Sequence, residues 1–251
     1  MDLKLSGKTA LVTGASSVGL GRAIALGLAR EGVKVAITAR RGDLLRQAAQ
    51  GIKAATGHEP SIIEGDLYQP ETPARLAAEA RKKLGRVDIL INAAGGSRPT
   101  PFESPAAVWE EAMLLNFFRL RDLTHAILPG MQEHKWGRVI SLTGTSEPYN
   151  INAANPAKAA IHAWTKGLSR EMGQYSITLN CIKPGRITSE QMLRMHPTEE
   201  QRRAFTREVP VQRFGEPDEL ADLAVFLASP RAGYITGTAI PVDGGLSRFA
   251  F

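Results

Sequence analysis

The stretch from Lys8 to Arg30, KTALVTGASSVGLGRAIALGLAR, narrows the possible folds more than any other part of this chain. It opens with Thr9-Ala10-Leu11-Val12-Thr13, a short and well-bounded apolar run of the kind that forms a buried parallel strand. It closes with Ala23, Ile24, Ala25, Leu26, Leu28 and Ala29 in a helical pattern, with Arg22 and Arg30 turned outward. Between them Gly14, Gly19 and Gly21 make a tight turn where backbone can approach a ligand closely. A helix N-terminus behind such a turn presents unpaired N–H groups and a positive dipole end, which suits a pyrophosphate. Gly14, Ser16, Ser17, Gly19, Leu20 and Gly21 are the candidate contacts of that turn.

The strand–helix rhythm then repeats along the chain. Strands are predicted at 33–38, 61–65, 87–91, 137–143 and 177–182, with a last one between Gly237 and Val242. Helices are predicted at 42–56, 70–84, 105–130 and 156–172, with a further one that starts in the run 213–219 and ends near Ser229. Ser104-Pro105 makes a good start for the long one at 105–130, and Pro156 suits the first turn of the next. Because proline disfavours helix in the residue before it, Asn155 is the expected cap, which leaves Ala154 outside the helix. Six alternations and a seventh strand imply an α/β fold, a doubly wound parallel sheet in a single domain spanning 1–251 with helices on both faces. The polar stretch 190–213 lacks a clear strand, as expected of a substrate lid.

Composition sets limits on partners. The single cysteine, Cys181, excludes an internal disulfide framework and fits a reducing compartment. No run reaches the length of a membrane span, and the N-terminus lacks a signal-peptide core, so the expected location is the cytoplasm, away from membranes. The net charge of +6 raises nucleic acid as a partner, but the basic residues are scattered without interleaved aromatics, which argues against it. A phosphate-bearing cofactor accounts for the excess equally well. The five histidines show no metal-ligand spacing, so no metal site is expected.

The end of the second predicted strand carries Arg40 and Arg41. In dinucleotide folds an acid at this place accepts from the 2′-hydroxyl of NAD, whereas arginine accommodates the 2′-phosphate of NADP. With two arginines and no acid, the expectation is NADP(H) in preference to NAD(H), helped by the hydroxyls of Ser16 and Ser17.

The glycine spacing Gly14-x4-Gly19-x-Gly21 resembles the T-G-x3-G-x-G turn of the short-chain dehydrogenase/reductase family, with one residue added. Asn92-Ala93-Ala94-Gly95 after the fourth strand resembles that family's N-N-A-G turn, with Ala93 as a departure. Pro184-Gly185-Arg186-Ile187-Thr188-Ser189 resembles its P-G-x-I/V-x-T turn, whose backbone and hydroxyl meet the nicotinamide amide. The resemblance runs from about Leu5 to Leu246 and implies a Rossmann-type sheet, hydride transfer between nicotinamide and a carbonyl or alcohol carbon, and a dimer or tetramer built on the helices at 105–130 and 156–172. It also implies that Asp66, with Leu67 beside it, holds the adenine, and that Asn92, Ala93, Gly95, Pro184, Gly185, Ile187 and Ser189 contact the cofactor. Asn116 would kink its helix and hold a water leading toward the active-site lysine, Lys158, which also binds the ribose.

At the reacting end the pattern breaks. The family places a tyrosine four residues before the lysine, and here that residue is Ala154. Counted from Gly137, the family's serine falls on Gly144; counted from Ala154 it falls on Ser141, too early in the strand. The first count is preferred, with a shortened loop after Gly144 and with Thr143 and Thr145 facing away from the site. Tyr149 is then the nearby phenol that could replace the missing acid, with Glu147 the nearby carboxylate. The leading expectation is an NADP(H)-dependent oxidoreductase acting on a small molecule with an atypical acid/base group, in which Asn116, Lys158 and Tyr149 are catalytic. Non-redox lyase or isomerase chemistry with Glu147 as base, and cofactor binding without catalysis, are the alternatives.

Overall fold

The computed structural model describes residues 1–97 and 99–249, with Gln191 described through its backbone alone. Seven strands lie side by side in the order β3-β2-β1-β4-β5-β6-β7, and every pairing is parallel. They are β1 (Thr9–Thr13), β2 (Lys34–Ala39), β3 (Ser61–Glu64), β4 (Ile89–Asn92), β5 (Gly137–Leu142), β6 (Ile177–Pro184) and β7 (Ala239–Val242). Parallel neighbours need crossovers, and helices supply them. The helices are α1 (Leu20–Arg30), α2 (Gly42–Thr56), α3 (Thr72–Leu84), α4 (Ala106–Met113), α5 (Arg119–Glu133), α6 (Ala154–Met172), α7 (Glu190–Met195), α8 (Glu199–Thr206) and α9 (Pro217–Ala228).

Both faces of the sheet are buried, and alternation along each strand divides the core in two. Ala10 and Val12 of β1, with Ile89 and Ile91 of β4, join Ile24 of α1, Leu45 of α2 and Leu220 of α9. Leu11 and Leu90 point the other way, toward Leu76 of α3 and Leu123 of α5. Each such side chain, fully withdrawn from water, contributes about 1.5–3 kcal/mol. Helices α1 and α9 touch so closely that a Cβ on Gly27 would sit 2.9 Å from Val225. None of the helices among the described residues is long and apolar enough to cross a membrane.

Two departures from the sequence expectation bear on the site. The helix expected at 105–130, for which the resemblance implied a kink at Asn116, is interrupted by a π-turn at Leu114–Phe118, which separates α4 from α5. Asn155 is not the cap of α6, which starts at Ala154. Asn152 holds that start instead: its Oδ1 accepts the Ala154 N–H at 3.0 Å and its carbonyl accepts the Asn155 N–H at 3.0 Å. Pro156 therefore lies in the first turn, where its missing N–H leaves no hydrogen bond unmade.

Candidate active site

The strand order reverses direction between β1 and β4, and ligands of open α/β sheets bind beyond the carboxyl ends of the strands at such a point. A cleft of about 1240 Å³ lies there. Gly14, at φ +68°, carries the chain over the outgoing end of β4, where a Cβ would stand 2.8 Å from the Ala93 carbonyl oxygen. A Cβ on Gly21 would press on the Gly14 carbonyl at 2.5 Å, so only glycine lets α1 start this close to β1. Gly19 faces the open cleft, with nothing nearer to its Cβ position than Ser189 at 3.5 Å. Helix α1 has no side-chain cap and no acid in its first turn, which leaves its N–H groups directed at the cleft.

Across this turn Thr13 fixes the chain leaving β4. Its Oγ1 accepts the N–H groups of Ala93 and Ala94, both at 2.9 Å, and donates to the Ile91 carbonyl at 3.2 Å. Asn116 fixes the next residues: its Oδ1 accepts the Gly96 N–H at 3.1 Å while its Nδ2 donates to the Ala112 carbonyl at 2.9 Å. The π-turn directs the amide this way, and both ends of the buried side chain are satisfied.

At the far end Arg40 lies over the Tyr68 ring, 5.4 Å from its centre, and Asp66 accepts the Tyr68 N–H at 3.1 Å. Arg41 grips Glu190 of α7 through two bonds of 3.0 and 2.8 Å, so one wall of the cleft is tied to the 190–213 segment. That segment consists of α7 and α8 and contributes Met192, Met195 and Phe205 to the cleft, while Leu193 is exposed. On the floor, Gly185 passes so near Asp243 that a Cβ would collide with its Cα, and the Ser189 hydroxyl caps α7 by accepting the Met192 N–H at 3.2 Å.

The cleft thus brings together Gly14, Ser16, Ser17, Gly19, Leu20, Gly21, Arg40, Arg41, Asp66, Leu67, Ala93, Gly95, Asn116, Tyr149, Lys158, Pro184, Gly185, Ile187 and Ser189. Asn92 is not on its wall. Its side chain is buried beneath the floor and donates to the Thr124 hydroxyl at 3.1 Å, clamping β4 to α5.

The reacting end is depleted of oxygen donors. Lys158 makes no hydrogen bond or ion pair with any described residue, and withdrawal from water lowers its pKa from the usual lysine value. Ala154, one turn earlier, is buried on the same wall. A Cβ at Gly144 would lie 3.2 Å from the Lys158 Cδ, so the count that placed the serine position at 144 puts it beside the lysine. Ser141 is buried away from the cleft. Thr143 turns its hydroxyl to His162 Nε2 at 2.7 Å and to the Ile182 carbonyl at 3.2 Å, and Thr145 accepts the Glu147 N–H. Tyr149 stands on the rim, 57% exposed. Glu147 is off the cleft, its carboxylate accepting the N–H groups of Arg248 and Phe249 at 2.9–3.2 Å. That placement removes it as a base for the non-redox alternative.

The profile described as enoyl-(acyl carrier protein) reductase matches residues 14–247. A 3-oxoacyl-(acyl-carrier-protein) reductase of Pseudomonas aeruginosa is 36% identical over 251 residues, covering 97% of this chain and 99% of that protein. This chain belongs to the short-chain dehydrogenase/reductase family. The 7alpha-hydroxysteroid dehydrogenase of Escherichia coli K12 is 32% identical over 247 residues, 97% of this chain and 96% of the relative. Among solved structures, L-sorbose reductase from Gluconobacter frateurii, complexed with NADPH and L-sorbose, superposes with a TM-score of 0.93 at 31% identity, covering 99% of this chain and all of that one. A 7alpha-hydroxysteroid dehydrogenase complexed with NADH and 7-oxo glycochenodeoxycholic acid gives 0.91 at 32% identity, with 97% and 96% covered.

Sequence reading missed Asn150, Asn152 and Asn155, which place three amides in the wall around Ala154, and it considered Arg186 only as part of a backbone turn. The run Asn150-Ile151-Asn152 and the following Asn155 were a compositional signal; the burial of Arg186 left none.

Proposed function

We propose that this member of the short-chain dehydrogenase/reductase family is an NADP(H)-dependent oxidoreductase that interconverts a carbonyl and an alcohol. The observation that carries the reading is the uncapped start of α1 behind its glycine turn, with Arg40 and Arg41 on the same cleft. The N–H groups of that turn fit a pyrophosphate, and the two arginines with the Ser16 and Ser17 hydroxyls fit a 2′-phosphate. Asp66 and Leu67 are assigned to the adenine, and Ala93, Gly95, Pro184, Gly185, Ile187 and Ser189 to the walls of the nicotinamide pocket. Asn92 acts at one remove, through β4. The bound cofactor supplies or accepts the hydride.

Lys158 binds the ribose and supplies positive charge beside the reacting centre. Tyr149 donates the proton to the carbonyl oxygen in place of the absent tyrosine at 154. Asn116 holds the Gly96 backbone in place and leaves the π-turn open to a proton-relaying water. The 190–213 segment acts as the substrate lid, held at its start by Arg41. The chain works as one domain, of which residues 98, 250 and 251 lie outside the described part, and as a cytoplasmic dimer or tetramer.

Fluorescence titration tests the cofactor assignment. NADPH binds at least tenfold tighter than NADH, and Arg40→Asp combined with Arg41→Asp erases the preference. A survey of NADPH oxidation over ketones, aldehydes and quinones then tests turnover: Tyr149→Phe abolishes it and Glu147→Gln leaves it. Binding without any oxidation would favour the reading of a cofactor-binding protein.

A further inference from the structure

Arg186 follows Gly185 at the end of β6, and its side chain is only 9% exposed. Its guanidinium lies 3.8 Å from the centre of the Phe205 ring, so α8 covers one face. Nη2 donates to Glu208 at 2.6 Å, whereas Nη1 is buried with no partner. Guanidinium has five donors in a planar fork, and a buried N–H without an acceptor is costly. A group serving only as a strut for the lid would have its donors satisfied.

The partner it does have is easily exchanged. Glu208 follows α8, is half exposed, and reaches Arg186 from the lid side of the cleft, which both residues line. The other lid carboxylate on the cleft, Glu190, is already taken by Arg41. The opposite wall adds a second reason for an anchor. With glycine at 144 and alanine at 154, no side-chain hydroxyl at those positions fixes the substrate, and hydride transfer demands a fixed geometry.

We propose that Arg186 is the substrate-anchoring residue of this cleft and that it binds a carboxylate, so that the substrate class is the oxo acids and their hydroxy acids. The carboxylate takes the free Nη1–H together with the N–H now given to Glu208, in the bidentate geometry that guanidinium favours. Glu208 swings to solvent as the acid enters. This rests on the cleft being an NADP(H) site.

The test uses the whole protein saturated with NADP⁺, so that binding is read without reduction of the oxo acid. Pyruvate, acetoacetate and 4-oxopentanoate are each paired with the methyl ester, and binding is measured by ligand-observed NMR. At least one acid binds tenfold or more tightly than its ester, and Arg186→Gln removes that difference. Glu208→Gln, at a half-exposed position that leaves folding intact, tightens binding of the acid at least threefold. A strut predicts no gain in the Glu208 variant. Acids that bind no better than esters, or do not bind at all, or bind equally well to Arg186→Gln and wild type, overturn the proposal. NADPH titration of the wild type is run first: failure there removes the cofactor reading itself, while success with no preference for acids removes the anchor alone.

Discussion

Lys158 shows what burying a single unpartnered charge costs. Burial disfavours its ammonium, and no described side chain offsets that loss. Its folded pKa lies below the ordinary value of 10.5, so between those two values the unfolded chain binds more protons than the folded one. The penalty is therefore full below the folded pKa and is relieved as pH rises from there toward 10.5. Lys158→Met is expected to raise the melting temperature at pH 7 by about 2–4 °C, the shift that roughly 1 kcal/mol gives at this chain length. The gain should shrink as melts are repeated toward pH 10, and NADPH affinity should fall in the same variant. A melting temperature that falls, or a gain independent of pH, would contradict the account. That Lys158 and Arg40 line the cleft could be anticipated because they sit in motifs: Lys158 in the run that resembles the family's lysine segment, and Arg40 at the end of the second strand. Glu147 and Arg186 could not be placed this way. The first is taken by backbone a hundred residues later in the sequence, and the second is buried by a segment with no strand or long helix to announce it.

Among the elements, the strands and most helices were legible because apolar periodicity reports which side faces the sheet, and α2 falls at 42–56 as expected. The π-turn was foreshadowed only by the resemblance, which implied a kink at Asn116; periodicity through Leu114-Leu115-Asn116-Phe117-Phe118 carries no mark of one extra residue in a turn. Its cause is tertiary: the wider turn lets Asn116 reach the Gly96 N–H, and a Cβ on Gly95 would sit 2.9 Å from the same Oδ1. The start of α6 is a second case: local rules favoured Asn155, next to proline, as the cap, whereas Asn152 holds the start of the helix. Asn116→Ala leaves the Gly96 N–H without its partner and should cost about 1–3 kcal/mol. Chemical denaturation should register that loss, and cofactor titration should register weaker NADPH binding, because the chain at 95–96 lines the cleft. Asn116→Asp keeps the acceptor and should recover most of the stability. Equal losses in both variants would mean that the amide does not act through Gly96.

For the whole molecule, the doubly wound sheet leaves α4 outside the core: none of its residues is buried, although Val108, Trp109 and Met113 are apolar. Beside it Phe117 and Trp164 meet edge to face at 6.4 Å, and Phe118 remains 37% exposed, so the α4–α5–α6 side presents an aromatic surface to solvent. A second copy burying this side would withdraw those rings from water, and a stable association needs about 1,200–2,000 Å² of total buried surface. The net charge of +6 opposes association, so the apolar face must outweigh it, and added salt should favour the assembly. Light scattering coupled to size exclusion should therefore give a dimer or tetramer mass for the wild type at physiological salt. Phe118→Arg should shift the mass toward one chain, since it places a charge where the two surfaces meet. The NADPH cleft opens at the strand ends and does not use Phe118, so cofactor affinity measured on the dissociated protein should change less than threefold. A wild-type mass of a single chain would show that this side stays in water, and the exposed aromatics would then have to be explained by another partner.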